Sequence, residues 1–214
     1  MTKKQKAIAV VNEMIRLYPN AECSLVAKAP HELLIATRLS AQCTDKRVNI
    51  VTKPLFEKYR SVDDFAKASV DDVGEIIRSC GLYKTKARDI VNMCIMLRDV
   101  YGGVVPDTID ELTKLPGVGR KTANLIVGDV YGKPAVVTDT HLIRITNRLG
   151  LVDTKEPKKV EFELKKLLPH EESNNFCHRM VMFGRDVCKA PMPKCETCTL
   201  HELCKEYKSR SKKN

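Results

Sequence analysis

Apolar residues recur at helical spacing along most of the chain. Ile8, Val11, Ile15 and Leu17 mark an amphipathic helix within residues 4–18, ended by Pro19. Residues 19–30 read as a loop, and Pro30 fits the first position of a helix from His31 to about Leu39. The pattern breaks at Leu39-Ser40-Ala41-Gln42-Cys43-Thr44-Asp45, where Thr44 or Asp45 caps a helix starting near Lys46. Two Ser-Val-Asp-Asp segments, Ser61–Asp64 and Ser69–Asp72, each pair an N-cap serine with first-turn acids, so both read as helix starts. The second of these helices ends at Ser79-Cys80-Gly81, with Gly81 just past the end. Ile90, Val91, Cys94 and Leu97 predict a helix running to the Gly102-Gly103 turn.

Thr108 and Glu111 have capping-box spacing and open a short helix ending near Lys114. Leu115-Pro116-Gly117-Val118-Gly119 follows as a tight turn in which the glycines allow positive φ. A second helix then runs from Arg120 to about Asp129 on Ala123, Leu125 and Ile126. Pro134–Val137 reads as extended, yet no neighbouring strand exists to pair with it, so a buried connector is expected. Thr138 or Asp139 caps a helix through Leu142, Ile145 and Leu149, and helices over 157–168 and 173–186 follow. The fold class predicted is all-α.

Composition narrows the class. Of 214 residues, 43% are hydrophobic, none is Trp, and no apolar run approaches a membrane span. The basic start Met1–Lys6 lacks a long apolar segment behind it, so no signal peptide is read and a cytoplasmic protein is expected. The formal charge is +10, but Lys3, Lys4, Lys6 and the basic residues after Cys204 carry most of it. Net charge therefore supports only loose affinity for a polyanion, and local placement must carry a nucleic-acid argument.

The hairpin supplies that placement. A Gly-rich turn before a helix leaves backbone N–H groups and a helix dipole facing outward, which suits a phosphate and is blind to base identity. A turn between two helices with no ligand explains the glycines equally well. Lys121 is more telling, because a cation in a first helical turn opposes the dipole by roughly 0.3–1 kcal/mol. An exposed lysine is one reading, and an amine tuned for nucleophilic work is the other. Lowering its pKa from ~10.4 to ~7.5 takes about 4 kcal/mol. The dipole provides a fraction of that, so desolvation or a neighbouring cation such as Arg120 must supply the rest, and Lys121 should lie in a cleft.

Nine cysteines form two populations. Cys23, Cys43, Cys80, Cys94 and Cys177 are scattered and read as small buried hydrophobes. Cys188, Cys195, Cys198 and Cys204 cluster within 17 residues as C-x6-C-x2-C-x5-C, a metal-ligand pattern. Zinc prefers two short pairs, and only one is present here. Wider, unequal gaps favour an iron–sulfur body that accepts one thiolate per iron.

Leu-Pro-Gly-Val-Gly-Arg-Lys-Thr-Ala-Asn at 115–124, followed by Val-Thr-Asp-Thr-His at 137–141 and the cysteine spacing, resembles the helix-hairpin-helix DNA glycosylases, in particular their endonuclease III branch. The resemblance runs over nearly the whole chain. It implies Lys121 as nucleophile with Asp139 as its partner, and a [4Fe-4S] cluster on Cys188, Cys195, Cys198 and Cys204. It also implies Gln42 filling the gap left by an extruded base, Leu82 wedging between bases, and phosphate contact at Leu115, Gly117, Val118, Gly119 and Arg120. Arg185, Lys189 and Lys194 are expected along the DNA backbone, as are Lys84, Lys86 and Arg88, while His141 is taken as structural. Two helical lobes are implied, 22–132 as a six-helix barrel and 1–21 with 133–214 as the cluster lobe, with the active site between them.

The activity implied is that of a bifunctional DNA glycosylase and AP lyase of base excision repair. Its partner would be double-stranded DNA carrying oxidised pyrimidines or abasic sites, with no membrane and a monomeric chain. A monofunctional adenine glycosylase shares the hairpin and cluster, but that family lacks the lysine and has a further C-terminal domain. A non-catalytic DNA-binding adaptor with a structural metal would leave Lys121 and Asp139 idle.

Overall fold

A computed structural model of the chain describes residues 1–211, and these contain helices, turns and loops but no strand. The chain divides into two compact units, Cys23–Tyr131 and Met1–Glu22 with Gly132–Asn214.

The continuous unit holds α2 (Pro30–Leu39), α3 (Asp45–Lys58), α4 (Val62–Ala66), α5 (Val70–Ile77), α6 (Tyr83–Tyr101), α7 (Ile109–Leu112) and α8 (Arg120–Asp129). The longest, α6, packs against α2, α4 and α5. Its Ala87, Ile90, Met93, Cys94 and Leu97 are all buried. Phe65 of α4 is buried too, with ring centroids 5.1 Å from Tyr59 and 6.3 Å from Phe56. Both Ser-Val-Asp-Asp segments begin helices: Ser61 accepts from Asp64 N at 3.1 Å and Ser69 from Asp72 N at 3.5 Å. After α5 a short 3-10 turn, Arg78–Cys80, leads to Gly81 at φ 68°.

The discontinuous unit holds α1 (Lys3–Leu17), α9 (Thr140–Leu149), α10 (Pro157–Leu167), α11 (Ser173–Asp186) and α12 (Lys205–Ser211). α1 packs on α10 and α11, while α9 packs on α11 and α12. The buried connector is present, since Ala135, Val136 and Val137 are all covered. Val137 N–H donates to Cys177 Sγ at 3.3 Å, and that thiol donates to Ser173 O at 3.2 Å, so the connector is tied to α11 without a sheet. The helix α12 has no counterpart in the sequence reading. Its apolar positions are few, and Arg210 pairs with Glu206 one turn away instead.

The scattered cysteines need one correction. Cys80, Cys94 and Cys177 are buried, but Cys23 and Cys43 are only half-buried, because each lies on a loop between two helices. The capping box at α7 is likewise only half made. Thr108 accepts from Glu111 N at 3.3 Å. The Glu111 carboxylate instead receives Tyr101 Oη at 2.7 Å and Lys114 Nζ at 2.6 Å.

A half-buried histidine ties stability to pH below about 6.5. His31, in the first turn of α2, has a buried Nε2 with no hydrogen-bond partner, and burial holds its pKa below the ordinary value against the pull of Glu32. The unfolded chain takes up a proton there at ~6.5, before the folded chain does, so stability falls as pH drops below that value. Urea unfolding at pH 7.5 and 5.5 should show a smaller loss for His31→Phe than for the unaltered chain. Identical losses would show that His31 carries none of the dependence.

Candidate functional site

The hairpin joins α7 to α8. Leu115 and Val118 point their side chains inward and are buried, and Val118 N–H closes the turn onto Leu115 O at 3.1 Å. Neither side chain can meet a ligand, and the Val118 N–H expected to face phosphate is already committed within the turn. Only one of the two glycines uses its freedom. Gly117 has φ 74°, whereas Gly119 is extended at φ −92° and ψ 171° as N-cap of α8. A Cβ on Gly117 would sit 2.7 Å from Arg38 Nε and 2.9 Å from Asp89 Cβ. Those two residues form a half-buried ion pair, with Arg38 Nη2 2.7 Å from Asp89 Oδ2. A Cβ on Gly119 would meet nothing within 4 Å.

Arg120 and Lys121 are the first two residues of α8. Lys121 is exposed and Arg120 half-buried. The cleft expected around Lys121 is not supplied by its own unit, since the residue is exposed at the second position of α8. Asp139 belongs to the other unit. It is the N-cap of α9, half-buried, and its Oδ1 accepts from Leu142 N at 2.7 Å. That bond fixes one carboxylate oxygen and leaves Oδ2 for other work. His141 and Arg144 follow on α9, with Arg144 Nη2 3.2 Å from His141 Nδ1.

Gln42 and Leu82 share a feature that polarity patterns do not report. They are the non-glycine residues with positive φ among those described, at 55° and 48°. Each such conformation costs roughly 1–2 kcal/mol for a side-chain-bearing residue and persists only where the surroundings enforce it. Both are exposed, Leu82 to 59% despite being apolar. Lys84 and Arg88 are exposed near Leu82. Lys86, expected with them at phosphate, is instead fully buried at 0% exposure. It lies one turn into α6, on the face that packs toward α2, so its amine points into the unit.

The four clustered cysteines line one pocket, with about 460 Å³ of non-atom space including its open side. The rest of the wall is largely apolar, from Ile145, Leu149, Phe183, Val187 and Leu200. Among the described residues no three His, Cys, Asp or Glu side chains converge as a single ion requires. The thiols ring a space instead, which fits a multi-iron body. Arg148 Nη1 lies 3.4 Å from Cys188 Sγ and Tyr207 N 3.5 Å from Cys204 Sγ, donors of the kind that stabilise sulfur ligands. Burial pushes the Cys195 and Cys198 thiols up.

Two arginines of α9 strap the loop that carries these cysteines. Arg144 Nη2 donates to Cys188 O at 2.8 Å, and Arg148 donates to Lys189 O and Ala190 O, each at 2.9 Å. Their role is missed by sequence reasoning, since arginines on a helix face read as solvated. Lys189, Lys194 and Arg185 are exposed on or beside this loop.

Residues 35–170 match the HhH-GPD superfamily base excision DNA repair protein. The chain is 46% identical to endonuclease III of Bacillus subtilis (strain 168) over 198 residues, covering 92% of this chain and 90% of that protein. It is 42% identical to endonuclease III of Synechocystis sp., covering 95% and 93%. A solved structure of a trapped endonuclease III–DNA covalent intermediate matches with a TM-score of 0.90 and 48% identity, covering 99% of this chain and 100% of that one. The structure of a thermostable thymine-DNA glycosylase matches at 0.88 with 23% identity, a likeness of fold.

The two hairpin glycines should separate in a stability measurement. Gly117→Ala combines positive φ with a clash and should cost about 2 kcal/mol or more in thermal or urea unfolding. Gly119→Ala should change stability by under about 0.5 kcal/mol. Equal losses at both positions would contradict this account of the turn.

Proposed function

The chain belongs to the HhH-GPD superfamily of base excision DNA repair proteins, and from that premise we infer how its residues carry out DNA glycosylase and AP lyase chemistry. The damaged nucleotide leaves the helix stack at a cost of a few kcal/mol, less where the pair is already weakened. Lys121 Nζ attacks C1′ of its sugar, forming the C–N bond as the glycosidic bond breaks. The base departs with the bonding electrons and takes up a proton. Opening of the sugar gives a Schiff base, which acidifies the C2′ proton, and its removal expels the 3′ phosphate by β-elimination. Oxidised pyrimidines are the substrate class.

Lys121, exposed at the start of α8 directly after the Gly-rich hairpin, is the observation that carries this reading. An exposed amine is reachable by DNA, and the duplex itself would exclude water from it once bound. Asp139 acts as an anion toward the positive sugar or toward the Lys121 proton. Its cap leaves Oδ2 for this and holds the carboxylate in one rotamer. The hairpin grips the DNA backbone through Gly117 and Gly119 N–H and the α8 dipole, and Arg120 adds a cation there. Arg185, Lys189 and Lys194 extend the contact. Gln42 and Leu82 enter the duplex, Leu82 as an apolar wedge.

Cys188, Cys195, Cys198 and Cys204 would hold a [4Fe-4S] cluster, which supplies a structural anchor for the Cys188–Cys204 loop and takes no part in the chemistry. Purified protein should then contain about four iron and four inorganic sulfide per chain. One zinc without sulfide would overturn the assignment.

Lys121→Gln should lose base release, strand cleavage and borohydride trapping to an abasic duplex, with DNA binding and iron content kept. Trapping that survives would assign the chemistry to another amine. Asp139→Asn keeps an oxygen for Leu142 N–H but removes the charge, so single-turnover excision should fall ~10²-fold. Full activity would leave Asp139 as a helix cap alone. Gly119→Val, which adds bulk where the fold leaves open space, should weaken binding to duplexes of every sequence alike, measured by anisotropy.

A further inference from the structure

Lys86 is a buried cation that the mechanism above does not use. Its side chain crosses from the first turn of α6 to two backbone carbonyls, and Nζ donates to Leu39 O and to Cys80 O, each at 2.8 Å. Leu39 is the last residue of α2, and Cys80 is the last residue of the 3-10 turn Arg78–Cys80. A helix end leaves such carbonyls without an intrahelical partner. One ammonium therefore closes two segment ends at once.

The chain leaves both ends toward a strained residue. Gln42 lies three residues beyond Leu39, and Leu82 two beyond Cys80. These are the two non-glycine positions with positive φ among the described residues. Backbone of that kind is kept in place only by what surrounds it. The amine sits there despite its burial, which pulls the pKa of Lys86 down. A methionine or leucine would fill the same space without that penalty, but would leave both carbonyls unanswered. The donor is what the site requires.

We propose that Lys86 is a positioning residue for base extrusion: by holding the Leu39 and Cys80 carbonyls together, it sets Gln42 and Leu82 in register with one another. This rests on the reading of Gln42 and Leu82 as the residues that enter the duplex. Extrusion needs both at once, one filling the vacated gap and the other splitting the stack. Their relative placement therefore governs the step before chemistry and leaves chemistry at the sugar untouched.

The test compares two duplex substrates under single-turnover conditions, one with a paired oxidised pyrimidine and one with a preformed abasic site. Lys86→Met should slow excision of the paired lesion by about tenfold or more while leaving abasic-site cleavage within about threefold. In a background already carrying Gln42→Ala and Leu82→Ala, Lys86→Met should add little, because it acts through residues no longer there. Equal loss on both substrates, or a full further loss in that background, overturns the role of Lys86. If Gln42→Ala and Leu82→Ala show no preference for the paired lesion, the wedge reading fails first and this proposal falls with it. Should Lys86→Met not fold, side-chain nitrogen NMR of the unaltered protein decides. One lysine ammonium must be protected from exchange with water, and its resonance must be missing from the spectrum of Lys86→Gln; a spectrum with no protected ammonium refutes the proposal.

Discussion

An α-helix leaves its first N–H and last C=O groups without partners, and nearly every residue of interest here sits at such an end. Lys121 and Arg120 open α8, Asp139 caps α9, and Leu82 precedes α6. Gln42 lies between the end of α2 and the start of α3. The all-helical construction supplies many such ends in a short chain, each with a dipole and a set of unspent donors or acceptors. Some are answered internally, as at Leu39 and Cys80. The end that begins at Gly119 has no side-chain cap, and exposed Lys121 stands beside it.

Periodicity and capping chemistry made most of the helices legible. Pro30 stands at N1 of α2, Thr44 caps α3, and Asp139 caps α9. These local signals survive because neighbouring residues decide them. What escaped was decided by distant ones. Lys86 looks like any basic residue near a loop until Leu39 O, 47 positions away, turns it inward. Arg144 and Arg148 look like a solvated helix face until the Cys188–Ala190 carbonyls arrive from about 40 residues later. The spacing of Glu111 fits the nearest cap, but its carboxylate accepts from Tyr101 and Lys114 instead. Positive φ at Gln42 and Leu82 was also hidden, because neither is the glycine or asparagine that such geometry favours.

The cysteine loop illustrates how few apolar contacts a segment can have and still be ordered. Met192 is 78% exposed, and Lys189, Ala190 and Pro191 are exposed beside it. Its order comes from above and below: guanidinium groups of α9 grip its carbonyls, and Lys194 N–H returns to Val187 O at 2.9 Å. A metal body bound to the four thiols would complete a frame that hydrogen bonds have already drawn. That division explains why the loop can dispense with a core of its own and leave its lysines facing solvent.

The split of the chain into a continuous unit and one assembled from both ends bears on the order of events during synthesis. Residues 23–131 contain every helix of their unit, so their contacts can form as soon as they emerge. Helix α1 packs against α10 and α11, which are made more than a hundred residues after it. Until then Ala7, Val10, Val11 and Met14 have no surface to cover them. Closing so long a loop adds only logarithmically to the entropic cost, so the delay is one of translation time and leaves final stability little affected. The buried stripe of α1 therefore waits on α10 and α11 for most of the chain's elongation.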